Sequence, residues 1–282
     1  MRGRSLILAF HNVVPDELAG RGDRSLHLPV GRFRRQLDLI EAHCRVVPLA
    51  ELLAGASAEK SPVVAITFDD AYRGAIELAF PEMVRRGLPS TLFVAPGLLG
   101  CASFWWDELA DPMGGLSPEV RKAALEVRAG NRLAIRAEMS GDRTEPLLPA
   151  CYGCASESQL QSLVAKESVT LGSHSWSHPN LTRIAPDELE RELARPLEWL
   201  GSVNGPTLPV LAYPYGLASP AVESAARHAG YTEALLVEGG WITPGGGPWA
   251  IPRYNVSAGL SEDGLLLRLS GVLDASSSRT GG

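Results

Sequence analysis

The sequence predicts an α/β fold in which parallel strands are joined by crossover helices, either a doubly wound sheet or a barrel. Strand-like and helix-like segments alternate through most of the 282 residues, and that order implies parallel pairing. One apolar run, PVVAITF at 62 to 68, is rich in β-branched residues and suits a strand buried on both faces.

Ser5 to Phe10 opens the series as a short apolar run. Arg32 to Ala42 has helical spacing through Phe33, Leu37, Leu39 and Ile40. After the 62 to 68 strand come a helix over about Gly74 to Arg86 and a strand over Ser90 to Ala95. Val169 to Gly172 reads as a strand, and Pro186 to Leu200 as a helix opened by proline in its first turn. Pro209 to Tyr213 is a strand, Pro220 to Ala229 a helix closed by Gly230, and Thr232 to Val237 a strand. Residues 101 to 158 break the rhythm: a tryptophan-bearing segment, a polar helical stretch over about Pro118 to Glu138 and a loop with Gly, Pro and Cys read as an insertion over one end of the core. The expected organisation is one domain over 1 to 273 and a flexible, solvated tail over 274 to 282.

A hydrophobic fraction of 45% with 21% charged residues belongs to an ordinary globular protein. The net charge of -6, without a long basic run, gives no reason to expect nucleic acid or an anionic membrane as partner. The apolar run Leu6 to Phe10 behind the basic start is too short for a signal peptide or a membrane span, so the expected location is cytoplasmic. Four cysteines, Cys44, Cys101, Cys151 and Cys154, are too few for a disulfide scaffold. C-Y-G-C at 151 to 154 is half a zinc knuckle without a second half, which leaves small buried thiols or one disulfide.

Two of only six histidines, His174 and His178, fall four apart in LGSHSWSHPNL. Imidazoles at that spacing can meet on one metal ion, or they can be surface residues close by chance. Asp70 is the candidate third ligand: in VVAITFDDAY two carboxylates follow a strand, at the mouth of the sheet where parallel α/β folds place their active sites. One of them could cap the following helix, but capping needs only one.

TFDD at 67 to 70, HSWSH at 174 to 178 and AYPYG at 212 to 216 resemble, in order, the first three motifs of the polysaccharide deacetylases, the NodB-homology carbohydrate esterases of the type 4 class. The resemblance covers roughly Ile7 to Val256, the insertion apart. It implies a distorted (β/α) barrel of about seven parallel strands, with Asp70, His174 and His178 holding a divalent metal, most often zinc. Asp69 would be the base that deprotonates the attacking water, and the backbone N–H of Tyr215 would stabilise the oxyanion. The implied enzyme is a metal-dependent hydrolase that removes acetyl from an N-acetylated sugar. Its rivals are a hydrolase of a non-sugar amide at the same site and a non-catalytic carbohydrate-binding relative.

Two departures shape the remaining expectations. Where many members carry an arginine that holds the catalytic aspartate, this chain has Ala212, and Arg253 is the candidate replacement, against the alternative of a surface arginine. No histidine follows His228, which sits on an outer helix, so the general acid is unassigned; His11, at the end of the first strand, is a candidate or else a structural histidine. Trp105 and Trp106 would either wall the cleft or pack the insertion, whereas Trp176 reads as core.

Overall fold

The computed structural model describes residues 4–56, 61–111, 115–139, 148–165, 168–243 and 245–271. Seven parallel strands close into a barrel: β1 (Ser5–Phe10), β2 (Val63–Phe68), β3 (Ser90–Val94), β4 (Val169–Ser173), β5 (Thr207–Ala212), β6 (Glu233–Gly239) and β7 (Ile251–Asn255). They pair in that order, and β1 closes the ring by pairing with both β2 and β7. The expected (β/α) barrel of about seven parallel strands is therefore what the chain forms.

Alternation along the strands sorts the apolar residues into two layers. Ile7, Val63, Ala65, Phe93, Val210, Ala212 and Leu235 share one buried cluster inside the barrel. Their neighbours Leu6, Leu8, Phe10, Val64, Ile66 and Phe68 belong to the larger cluster beneath the helices. With both faces covered, the strands read as continuous apolar runs.

The helices that cover the barrel are α1 (Val30–His43), α2 (Phe80–Arg86), α3 (Trp105–Glu108), α4 (Pro118–Glu126), α5 (Arg132–Met139), α6 (Glu157–Val164), α7 (Pro186–Ser202), α8 (Pro220–Ala229) and α9 (Glu262–Ser270). Two of the expected helices are modified. Over Ala75–Ala79 the chain winds in a wider turn before α2, because Pro81 has no N–H to give the preceding turn. The stretch Pro118 to Glu138 is two helices, broken where Ala129 and Gly130 adopt left-handed φ of 51° and 69°. Strand β7 and helices α3, α6 and α9 are additions to the elements read from sequence. Arg253 lies within this last barrel strand.

Trp176 is half-buried rather than core, with the Arg195 guanidinium stacked 3.7 Å over its ring. The tail over 274 to 282 lies outside the described residues. Among the described residues no helix is long and apolar enough to cross a membrane.

Gly172 shows how tightly the interior is filled. A Cβ there would stand 2.4 Å from Cε1 of Phe93, whose ring occupies the barrel centre. Gly172→Ala is expected to cost about 1–3 kcal/mol by overpacking, read as a lower urea midpoint at unchanged slope.

Candidate active site

Every barrel strand points its C-terminal end at the same rim, and the residues singled out in the sequence converge there. Asp69 and Asp70 follow β2, and His174 and His178 belong to the loop after β4. His11 follows β1, and Tyr215 the turn after β5. These six residues line one cavity of about 410 Å3.

Three ligand atoms meet at a point within it. His178 Nε2 lies 3.1 Å from His174 Nε2 and 3.2 Å from Asp70 Oδ1, which is 3.5 Å from His174 Nε2. For a triangle with these edges the point equidistant from all three atoms lies about 1.9 Å from each, a spacing that suits the ~2.0–2.2 Å bonds a zinc ion would make to these donors. The donor set fits such an ion in chemistry as well. His174 Nδ1 donates to the Ala212 carbonyl at 2.7 Å, which leaves Nε2 with its lone pair toward the site. Burial, against the pull of Asp69, pushes His174 down to about 4, so it is neutral near pH 7. Buried Asp70 Oδ1 has no hydrogen-bond partner; its short approach to His178 lacks the angle of a bond.

Backbone strain marks the same rim. Asp70, Ala71, Ser175, His178 and Tyr215 have φ between 52° and 68°, five of the six non-glycine residues with positive φ among those described. Each such residue costs on the order of 1–3 kcal/mol and persists only where its surroundings hold it.

For the histidine loop the surroundings are largely Glu192, which the sequence reading missed. Its carboxylate reaches out of α7 and accepts from the amides of Trp176 and Ser177, at 3.0 and 2.8 Å, and from the Ser177 hydroxyl at 2.6 Å. His178 N–H adds a bond to Ser175 Oγ at 3.1 Å. A signal was present: Leu189, Glu192, Leu193, Pro196 and Leu200 form the buried stripe of α7, and an acid on such a stripe needs a partner.

Arg253 is fully buried inside the barrel and grips Asp69 with two parallel bonds, Nη1 to Oδ1 at 2.8 Å and Nη2 to Oδ2 at 2.7 Å. Nη1 also donates to Thr67 Oγ1 at 3.2 Å, and Nε to the Leu236 carbonyl at 2.6 Å. Burial alone would raise the Asp69 carboxyl; the Arg253 charge and its hydrogen bonds, helped by His174, hold it well below the usual carboxylate range. Asp69 Oδ2 stands 4.0 Å from His174 Nε2, beside the ligand cluster and outside it.

The two tryptophans take different places. Trp106 lines the cavity, its ring 5.1 Å from that of His178. Trp105 is buried behind the wall and donates from Nε1 to Tyr215 Oη at 3.0 Å. Tyr215 Oη in turn donates to the His178 carbonyl at 3.2 Å. From the insertion, Arg121 and Leu125 of α4 join Trp106 in the lining, so this segment covers the active-site end of the barrel.

A family model described as polysaccharide deacetylase matches residues 56–234. Among curated proteins none matches in sequence. Solved structures with a similar fold include the Streptococcus pyogenes deacetylase PplD in complex with acetate, 18% identical, covering 95% of this chain and 99% of that one at a TM-score of 0.66. IcaB from Ammonifex degensii is 20% identical over 95% and 97% of the two chains, with a TM-score of 0.65. The putative polysaccharide deacetylase BA0330 from Bacillus anthracis is 16% identical over 95% and 69%, also at 0.65.

Because Glu192 sets the path between the two imidazoles, Glu192→Ala is expected to weaken zinc binding about 10–100-fold in calorimetric titration of metal-free protein. Glu192→Gln keeps an oxygen for the two amides and an NH2 for the Ser177 hydroxyl, and its affinity should fall between the two.

Proposed function

The chain belongs to the polysaccharide deacetylase family, and from that premise we propose that it is a metal-dependent hydrolase removing the acetyl group from an N-acetylated sugar. The observation that carries this reading is the pairing of an Asp-His-His cluster with a second carboxylate kept ionised by a buried arginine. A binding module has no use for a base held in that state beside three ligands.

Asp70, His174 and His178 would hold a divalent cation, with zinc the best fit to two imidazoles and a carboxylate. When bound it supplies a Lewis acid that polarises the acetyl carbonyl and acidifies the attacking water. All other steps fall to the chain. Asp69 accepts the proton of the attacking water, and the fork of Arg253 keeps the carboxylate turned toward the cavity. The backbone N–H of Tyr215, at the left-handed turn after β5, donates to the developing oxyanion. His11 lines the same cavity as Asp69 and Asp70, which supports it as the group that gives the leaving nitrogen its proton. Trp106 offers the sugar an apolar wall.

The test is acetate release from a panel of N-acetylated sugars together with metal analysis. Asp69→Asn is expected to keep the metal and lose about 10²–10⁴-fold in rate. Metal binding with no acetate from any sugar would overturn the reading.

Arg253→Lys keeps one positive charge but gives up the two-pronged grip. Because burial raises Asp69 and Arg253 lowers it, the substitution should raise the carboxyl. The base is active when ionised, so the acid limb of the kcat/KM profile is expected to move to higher pH, with the alkaline limb unmoved.

A further inference from the structure

Three of the four cysteines lie where the insertion leaves and rejoins the barrel, and the chemistry proposed above uses none of them. Cys101 comes shortly after β3, and Cys154 shortly before α6. The Cys154 N–H donates to the Cys101 carbonyl at 3.0 Å. The two segments are so close that a Cβ on Gly153 would stand 2.7 Å from that same oxygen. With one hydrogen bond joining the two residues' own backbones, standard bond lengths keep their Cα atoms within about 7 Å, the outer limit of a disulfide. Each thiol gives its weak S–H to a backbone carbonyl: Cys101 Sγ donates to Ser103 at 3.4 Å, and Cys154 Sγ to Asp70 at 3.5 Å.

The four thiols differ in reactivity. The neighbouring Cys154, against burial, draws Cys101 down to about 7, which favours thiolate near neutral pH; Cys101 is half-buried where Cys154 is fully buried. Burial pushes Cys44 to about 12 and raises Cys151.

We propose that Cys101 and Cys154 form a reversible intramolecular disulfide, a redox modification site that staples the insertion at its base. The oxidant class is a small disulfide such as oxidised glutathione. Cys101 thiolate attacks one sulfur of the reagent, its S–S bond breaks, and one small thiolate leaves. Cys154, losing its proton, then attacks Cys101 Sγ and expels the second. Two protein thiols are oxidised to one disulfide, and one small disulfide is reduced to two thiols. The bond closes the loop that brings Trp106, Arg121 and Leu125 to the cavity, and it removes the S–H donor from the Asp70 carbonyl.

The test uses the full folded chain with oxidised glutathione, free-thiol counting and peptide mapping, and it stands apart from any assay of deacetylation. Two of the four thiols should disappear, with a peptide linking Cys101 to Cys154 and no retained glutathione. A variant carrying Cys44→Ser and Cys151→Ser should still lose two thiols, and its melting midpoint should rise by about 5 °C or more on oxidation and fall back with dithiothreitol. Cys154→Ser should trap glutathione on Cys101, since nothing remains to resolve the mixed disulfide. The proposal is overturned if all four thiols persist, if the linked peptide joins Cys151 to either partner, or if the midpoint of the variant does not move.

Discussion

A guanidinium in the interior of a β barrel has no water to turn to, and the effective cost of burying an ion is several kcal/mol. Arg253 meets that cost with a carboxylate, a hydroxyl and a carbonyl, and its guanidinium carbon lies 5.5 Å over the Phe93 ring. Much of the site's geometry depends on this arrangement. Asp69 comes from the end of β2 and Arg253 from the middle of β7, so the grip between them spans β1, the strand that closes the ring, and couples that closure to the orientation of one reactive group. The pairing of β6 with β7 is shaped for it. Ile251 pairs with Leu235 and Arg253 with Gly239, so β6 carries two extra residues between those pairs. Within that bulge lies Leu236, whose carbonyl accepts the Arg253 Nε. A sheet without the irregularity would give that carbonyl to the ladder.

The same division of labour recurs around the rim. Asp69, the histidine loop and the Trp106 wall each face the cavity, and each is oriented from behind by a buried polar partner. Arg253 orients Asp69, and Glu192 holds the loop between His174 and His178. Behind Trp106, its Nε1 donates to Tyr72 Oη at 2.6 Å, and Tyr72 donates to Asp107 Oδ2 at 2.9 Å. Asp107 Oδ1 accepts from His27 Nε2 at 2.7 Å, and the Asn12 amide, donating to His27 Nδ1 at 3.0 Å, fixes that tautomer. The insertion is thereby tied to the segment after β1 by a buried network. These partners balance the left-handed residues at the rim, whose strain a looser frame would release by letting the ligands drift apart.

What could be read from sequence follows from where each signal is stored. The Asp-Asp pair and the two histidines were legible because each breaks an apolar run at a strand end, a conflict visible within ten residues. Strand β7 was illegible for the opposite reason. I-P-R-Y-N carries a proline and a charge, which local propensity counts against a strand, and the partner that licenses the charge lies 184 positions away. The break between α4 and α5 was hidden in the same way. V-R-A-G-N reads as the middle of a polar helix, yet Gly130 packs so close to Tyr215 that a Cβ would come 2.9 Å from its hydroxyl oxygen, and the Ala129 carbonyl accepts from Asn180 N–H at 2.7 Å. Tertiary contact with the site, not helix propensity, ends α4.

Ala212 shows how a missing side chain and a relocated one belong to one solution. As a small residue at the end of β5 it belongs to the interior cluster with Phe93 and Leu235. Its carbonyl takes the Nδ1 proton of His174 and so sets the tautomer of a ligand. A long side chain at this position would have to share the barrel interior with the buried guanidinium that reaches Asp69 from β7. Two cations competing for one carboxylate would leave one of them unpaired in an environment where that is costly. The arginine at 253 and the alanine at 212 therefore make sense only together: the barrel interior holds one guanidinium and the carboxylate it orients, packed among Phe93, Leu235 and the small Ala212.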